Sequence, residues 1–374
     1  MKILSIETSC DETAVSIVEA VGGLESPSFK VLGDALFSQI DIHKEYGGVF
    51  PMLAKREHAK NLSPILAKAM TDAGLFVTEN NSYSVEIWDE IKIILEREEG
   101  LYPAFKETFE NIKKPELDVI AVTYGPGLEP ALWVGISFAT ALGKLWGIPV
   151  IGANHMEGHI ASVLIQNQDE RKIEFPAMAI LISGGHTEIV KIESWGKYKV
   201  IGQTVDDAVG EAFDKVARIL GLPYPGGPEI SKLAEKARTE NITKVAKLPR
   251  PMINSNNLNF SFSGLKTAVL YYVRDNFSGS YENMTEENKA DVAREFEDAV
   301  VDVIRAKTKE ALDENETKTL IVGGGVIANK KIKEIFNNFE NEYNGLVVKT
   351  PTRELATDNS LMIAVTAYIN ISLY

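Results

Sequence analysis

Two stretches of the chain follow one plan. Residues 2–20, KILSIETSCDETAVSIVEA, read as a short apolar strand, a polar turn and a second strand. Residues 177–192, AMAILISGGHTEIVKI, repeat that order around a Ser/Gly/Thr turn. A similar hairpin opening each half constrains the fold more than any other feature, because it implies a duplicated domain. Strands and helices alternate after each hairpin, which is the signature of α/β architecture. LDVIAVTYGPGLEPALWVGISFATALGKLW supplies a buried strand, a Gly-Pro-Gly turn and a helix, and TKTLIVGGGVIANKKIKEIFNNF supplies another such unit. Between Phe76 and Pro115 the pattern changes. Ile87, Ile91, Ile94 and Leu95 fall at helical spacing on a charged background, so residues 77–114 read as an inserted helical segment outside the chemistry.

A chain of 374 residues with 45% hydrophobic and 25% charged content has room for two domains. The longest apolar run carries Lys144 in its middle, which argues against a membrane span. The N-terminus turns polar too soon for a signal-peptide core. A single cysteine, Cys10, forbids an internal disulfide, and a reducing, cytoplasmic location is expected. The net charge of −14 repels nucleic acid unless basic groups gather locally. They gather between Lys244 and Arg274, where Lys247, Arg250 and Lys266 also lie, aromatic residues are interleaved and no acid occurs. That stretch reads either as a solvated face or as a phosphate-backbone surface.

Three turns offer backbone N–H groups as anion cradles: TSCDET (8–13), SGGHT (183–187) and GGGVIAN (323–329). The third also fits G-x-G-x-x-A through Gly323, Gly325 and Ala328, but no acidic residue ends the following strand and the motif lies near the C-terminus, so a dinucleotide site is rejected. Two hairpin turns with a strand–glycine–helix turn instead suggest a nucleotide held between two related domains, as in sugar kinases, actin and heat-shock ATPases.

NHMEGHIAS (154–162) sets His155 and His159 four residues apart, on one side of a helix, where two imidazoles can hold one ion. A zincin peptidase requires a glutamate immediately after the first histidine. Glu157 comes two residues after, which rotates it to roughly the opposite side of the helix. A third ligand must come from elsewhere. Asp358, in ATDNSLMIA, is a candidate; its ordinary reading is a helix N-cap.

SIETSCDETAVSIV, HKEYGGVFPMLAKREH, TYGPGLEPALWVG, NHMEGHI, LISGGHTEIV, DDAVGEAFDKVARILGLPYPGGP, NFSFSGLKTA, GGGVIAN and TDNSLMIA, in that order, resemble the TsaD family of tRNA N6-adenosine threonylcarbamoyltransferases, once described as glycoproteases. Two departures stand out: residues 77–114 are longer than expected, and Met52 stands where bacterial members commonly have glutamate. The resemblance implies two duplicated actin-like domains, 1–153 and 154–374, with a central cleft and with the last helix free to pack back on the first. It implies one divalent ion, Fe2+ or Zn2+, on His155, His159 and Asp358. It assigns substrate contacts to Leu181, Ile182, Ser183, Gly184, Gly185, Asp214, Gly227 and Asn329, and leaves Glu12 and Ser183 as candidate catalytic groups. The implied reaction moves a threonylcarbamoyl group from threonylcarbamoyl-AMP to N6 of adenosine 37 in tRNAs reading codons that begin with A. The implied partners are a tRNA anticodon loop, a degenerate TsaB-like paralogue and a TsaE-like P-loop ATPase, with no membrane. A metallopeptidase, an actin-like ATPase and a nucleotide-holding scaffold are the rival readings.

Overall fold

The computed structural model describes residues 1–79, 83–165 and 172–373. The chain forms two compact units, one of Met1–Gln168 with Asp358–Tyr374 and one of Asp169–Thr357. The position after residue 153 therefore lies inside the first unit, and the last helix belongs to that unit as well. Of the expected insertion at 77–114, residues 80–82 lie outside the described residues.

In the first unit, β1 (Lys2–Glu7), β2 (Glu12–Val21) and β3 (Ser28–Ser38) run antiparallel. A short α1 (Ile40–His43) leads to α2 (Pro51–Asp72), followed by α3 (Val85–Leu95) and α4 (Leu101–Phe109). The chain continues through β4 (Val119–Gly125), α5 (Glu129–Trp146), β5 (Val150–Asn154) and α6 (His155–Ala161). The strands form one five-stranded sheet in the order β3-β2-β1-β4-β5, with β4 parallel to β1 and β5 parallel to β4. Side-chain alternation divides its two faces. Leu4, Ile6, Val15, Ile17, Ile120 and Val122 enter one core with residues of α2 to α5. Ile3, Val18, Val119 and Ala121 enter another with Met362, Ile363 and Ala367 of the C-terminal helix. The helices α3 and α4 carry an aromatic chain into the first core, from Trp88 through Phe105 and Phe109 to Trp146.

The second unit opens with β6 (Ala177–Ile182), β7 (Thr187–Ser194) and β8 (Lys197–Gln203). It continues with α7 (Val209–Ile219), α8 (Gly226–Thr239), α9 (Ser263–Asn276), α10 (Glu286–Glu314), β9 (Thr319–Gly323), α11 (Lys330–Glu342), β10 (Val347–Lys349) and α12 (Arg353–Ala356). Its sheet order is β10-β9-β6-β7-β8, again with an antiparallel meander and two parallel strands. Read from the meander edge this is the order of the first sheet, strand for strand, so the duplication expected from the hairpins is present as topology. The core of this unit joins Met178, Ile180 and Ile182 of β6 to α7, α8, α9 and α10. α13 (Ser360–Ser372) completes the chain. Among the described residues no helix is long and apolar enough to cross a membrane.

Candidate metal centre and substrate turns

The first unit gathers its chemistry at the ends of β1, β5 and α13. Asn154 ends β5 and caps α6, its Oδ1 accepting from the N–H groups of Met156 (2.9 Å) and Glu157 (3.1 Å). That cap starts the helix at His155 and leaves His159 one turn later on the same side. The rings of His155 and His159 lie edge to face, 4.7 Å apart between centroids. Asn359, rather than Asp358, caps α13, accepting from the N–H of Met362 at 3.0 Å. The carboxylate of Asp358 instead faces the imidazoles. Its Oδ1 lies 3.5 Å from Nε2 of His155 and 3.3 Å from Nε2 of His159. One ligand atom from each of the three lies within 4.8 Å of the others.

A cation suits these groups. Both ring nitrogens of His159 are buried without a hydrogen-bond partner among the described residues, a costly condition that an ion on Nε2 would relieve. Two imidazoles and a carboxylate are donors that suit iron or zinc. Burial would lower the pKa of His155, but the carboxylates of Asp358 and Glu7 overcome it and push the value up to about 9 in the metal-free chain. Glu157 is half-buried on α6, outside this cluster.

Glu12 begins β2. Burial, then the neighbouring Asp11 and Asp358, raise its carboxyl well above the usual range, against a weak hydrogen bond from Ser38 Oγ at 3.3 Å. Three further residues support His155. The Nδ1 of His155 lies 3.3 Å from Oε2 of Glu7 and 3.2 Å from Oγ of Ser9, while Oγ1 of Thr123 donates to the same Glu7 oxygen at 2.6 Å. The sequence signal for them was slight: a carboxylate closing KILSIE where the second hairpin closes AMAILI with isoleucine.

In the second unit the Ser183–His186 turn closes on itself. Ser183 donates its N–H to the carbonyl of His186 at 2.9 Å, and Ser183 Oγ accepts from the N–H of His186 at 3.1 Å. The start of α7 is pressed onto this turn: Gly210 and Glu211 donate to the carbonyls of Ser183 (3.2 Å) and Gly184 (3.1 Å). A Cβ on Gly210 would stand 2.7 Å from Gly184 Cα and from Ser183 O, so glycine is required there. Gly184 and Gly185 themselves face open space, and their N–H groups have no acceptor among the described residues. Leu181 and Ile182 have fully buried side chains, which leaves only their backbone for a ligand.

Asp214 holds the next turn, its Oδ1 accepting from the N–H of Gly226 at 2.7 Å. Gly226 is tightly packed, whereas a Cβ on Gly227 would meet nothing. Asn329 caps α11, accepting from Lys331 and Ile332, and its amide donates to Ser231 Oγ (2.7 Å) and Glu297 Oε1 (2.6 Å). Its side chain is fully engaged.

The basic stretch loses much of its charge in space. Lys244 pairs with Glu295 (2.7 Å) and Asp298 (3.2 Å), and Arg250 with Glu295 and Asp302, all on α10, while Arg274 pairs with Asp275 (2.7 Å).

A duplicated α/β chain whose two sheets share one strand order, with a buried two-histidine, one-carboxylate cluster in one unit and open glycine turns in the other, is the class of protein defined so far. The family described as TsaD, tRNA N6-adenosine threonylcarbamoyltransferase, matches residues 30–81 and 97–365, and the chain belongs to it. The unmatched residues 82–96 contain all of α3. Similar proteins bearing the name tRNA N6-adenosine threonylcarbamoyltransferase include that of Polynucleobacter asymbioticus, 40% identical over 97% of this chain and 90% of its own. That of Persephonella marina is 41% identical over 98% of this chain and 90% of its own. Solved structures that align include component A of (R)-2-hydroxyglutaryl-CoA dehydratase from Acidaminococcus fermentans, over 100% of both chains at 12% identity and TM-score 0.48. Membership makes the chain a tRNA-modifying transferase.

Proposed function

We propose that the protein transfers the threonylcarbamoyl group of threonylcarbamoyl-AMP to N6 of adenosine 37 in tRNAs that read codons beginning with A, and releases AMP. The observation that supports this reading most is the buried cluster of His155, His159 and Asp358 on a chain of this family. One divalent ion, Fe2+ or Zn2+, held there would supply Lewis-acid stabilisation of negative charge on substrate oxygens. The chemistry is attack of the exocyclic amine on the carbonyl of a mixed anhydride. The new C–N bond forms, the bond from the carbonyl carbon to the phosphate oxygen breaks, and the amine proton passes to the departing phosphate.

The chain's residues orient and shield this step. The N–H groups of Gly184 and Gly185 take the anionic part of the donor, with Ser183 holding the turn in shape. Asp214 and Gly227 bound the nucleoside portion, and Asn329 shapes its surroundings as a helix cap. Glu12, kept towards its protonated form by burial and acidic neighbours, donates a hydrogen bond to the leaving group or to a water. The tRNA presents its anticodon loop as a splayed single strand. With a net charge of −14, the chain needs partner subunits that bring positive charge, a degenerate TsaB-like paralogue and a TsaE-like P-loop ATPase. A zincin peptidase would take its base from the glutamate of its histidine motif, and Glu157 stands outside the ligand cluster.

The test is incubation with synthetic threonylcarbamoyl-AMP, unmodified tRNA and the partner subunits, followed by mass spectrometry of the nucleosides. Threonylcarbamoyladenosine should form, and His159→Ala should reduce it at least about a hundredfold. No modified nucleoside from the complete mixture would overturn the assignment.

A further inference from the structure

Glu7 is the last residue of β1, and its side chain is completely buried. An ionised carboxylate in such a place is strongly unfavourable unless it is paired and hydrogen-bonded. Glu7 is both: Oε1 accepts from the N–H of Ser9, and Oε2 accepts from Oγ1 of Thr123 at 2.6 Å and faces Nδ1 of His155 at 3.3 Å.

The fold itself does not call for a carboxylate here. β1 and β6 are both six-residue strands, and each is followed by a four-residue turn into its partner strand, 8–11 and 183–186. Aligning Lys2 with Ala177 places Glu7 on Ile182. The parallel registers, Ile6 with Val122 and Leu181 with Gly323, then place Thr123 on Gly324. The second unit closes the same position with an isoleucine that is fully buried in its core. The carboxylate and its threonine are therefore a departure from the repeat, and they occur where a metal-ligating histidine is within reach.

We propose that Glu7 is a positioning residue. It accepts the Nδ1–H of His155 and fixes that ring so that Nε2 is presented to the ion, an inference that rests on the metal-centre reading above. Carboxylates that hold the far nitrogen of a ligating histidine set its tautomer and its orientation. His159 shows the alternative, since among the described residues neither of its ring nitrogens has a hydrogen-bond partner and no group braces its Nδ1. Ser9 is the competitor for the role, with Oγ 3.2 Å from the same Nδ1. A hydroxyl donating to Nδ1 would leave the proton on Nε2 and disable it as a ligand.

The experiment titrates the metal-free, full-length protein with Zn2+ against a chromophoric chelator. The wild type should bind one Zn2+ per chain, Glu7→Gln should bind it about 10- to 100-fold more weakly, and Ser9→Ala should bind as the wild type does. Histidine-selective 15N spectra of the Zn2+-loaded wild type give a readout that does not depend on Glu7→Gln folding. His155, assigned by the signal lost in His155→Asn, should carry its proton on Nδ1 and its metal on Nε2. Wild-type affinity in folded Glu7→Gln, weak binding in Ser9→Ala instead, or coordination of His155 through Nδ1 would each overturn the role of Glu7 alone. A wild type that binds no Zn2+ would overturn the metal centre, and this proposal with it.

Discussion

The two hairpin turns, at matching places in the two sheets, have become opposite kinds of surface. The turn after β1 is closed: Thr8, Ser9 and Asp11 are buried, and its hydrogen bonds are spent on Glu7, His155 and the start of α5. The turn after β6 is open, with two glycines facing empty space and a serine whose hydroxyl only braces the loop. A buried turn can hold a side chain in one orientation, which a metal ligand needs. An open glycine turn can present bare N–H groups to an anion, as the proposed acyl-phosphate donor would require. Two loops of the same length, in the same place in their sheets, thus differ in character with the residue that closes the preceding strand, glutamate in one and isoleucine in the other.

The strongest way to break that contrast is to exchange the closing residues. Ile182→Glu places a carboxylate at the position of Glu7 with Gly324 where Glu7 has Thr123 and no histidine from its own unit's repeat to receive it. The N–H of Gly184 is left as the one matching donor. The loss of unfolding free energy should reach about 4 kcal/mol or more, read from urea denaturation. A small loss would mean that the second unit tolerates a charge there, and that Glu7 signals no special construction.

The closed turn should also carry a pH signature. His58 is fully buried; its Nε2 donates to the carbonyl of Cys10 at 3.0 Å, and its Nδ1 accepts from Oγ1 of Thr13 at 2.8 Å. Burial, partly opposed by the bond to Cys10, lowers its pKa to about 4. In the unfolded chain the value returns to about 6.5, so between these two the unfolded state binds more protons. Stability from this site is complete above pH 6.5 and is lost as pH falls towards 4, by at most about 3 kcal/mol. The slope of stability between pH 6.5 and 5 should flatten in His58→Gln. An unchanged slope would assign the acid sensitivity to other groups.

How much of this was legible in the sequence follows from distance along the chain. The hairpins, the strand–turn–helix units and the pair His155 and His159 are local patterns, and their periods announce them. Asp358 stood out because a polar cluster opens a helix; that Asn359 takes the capping role is a matter of one residue's geometry. Leu181 and Ile182 have side chains in the core, and Asn329 spends its amide on a helix start, placements that a motif's letters do not reveal. The bracing of His155 joins residues more than a hundred positions apart, and the acids facing Lys244 and Arg250 lie on α10, some fifty residues on. Neither has a period to reveal it.

The open turn gives a smaller and sharper test. Gly210→Ala drives a Cβ into the backbone of Ser183 and Gly184, and should cost about 1 to 3 kcal/mol while distorting the loop. Gly185→Ala meets no neighbour and should leave stability within about 0.5 kcal/mol. Any effect of Gly185→Ala should then fall on the donor substrate, as a raised KM or a lowered kcat. If both variants lose stability equally, the turn is a packed element like its counterpart.

The least effect is expected where charge is already spoken for. Arg250 faces Glu295, nearly fully buried, and Asp302, so it is committed to α10 much as Glu7 is committed to its turn. Arg250→Ala should cost about 1 to 2 kcal/mol of stability, because Glu295 loses one of two cationic partners. It should leave the salt dependence of tRNA binding unchanged. Lys266, on α9, has no ion-pair partner among the described residues and provides the contrast. If the helix touches the tRNA backbone, Lys266→Ala should reduce the slope of log affinity against log salt by about 0.7 to 0.9, the equivalent of one phosphate. A reduced slope for Arg250→Ala with stability intact would show that its ion pairs give way to RNA, and that commitment in the free chain does not predict what the bound one does.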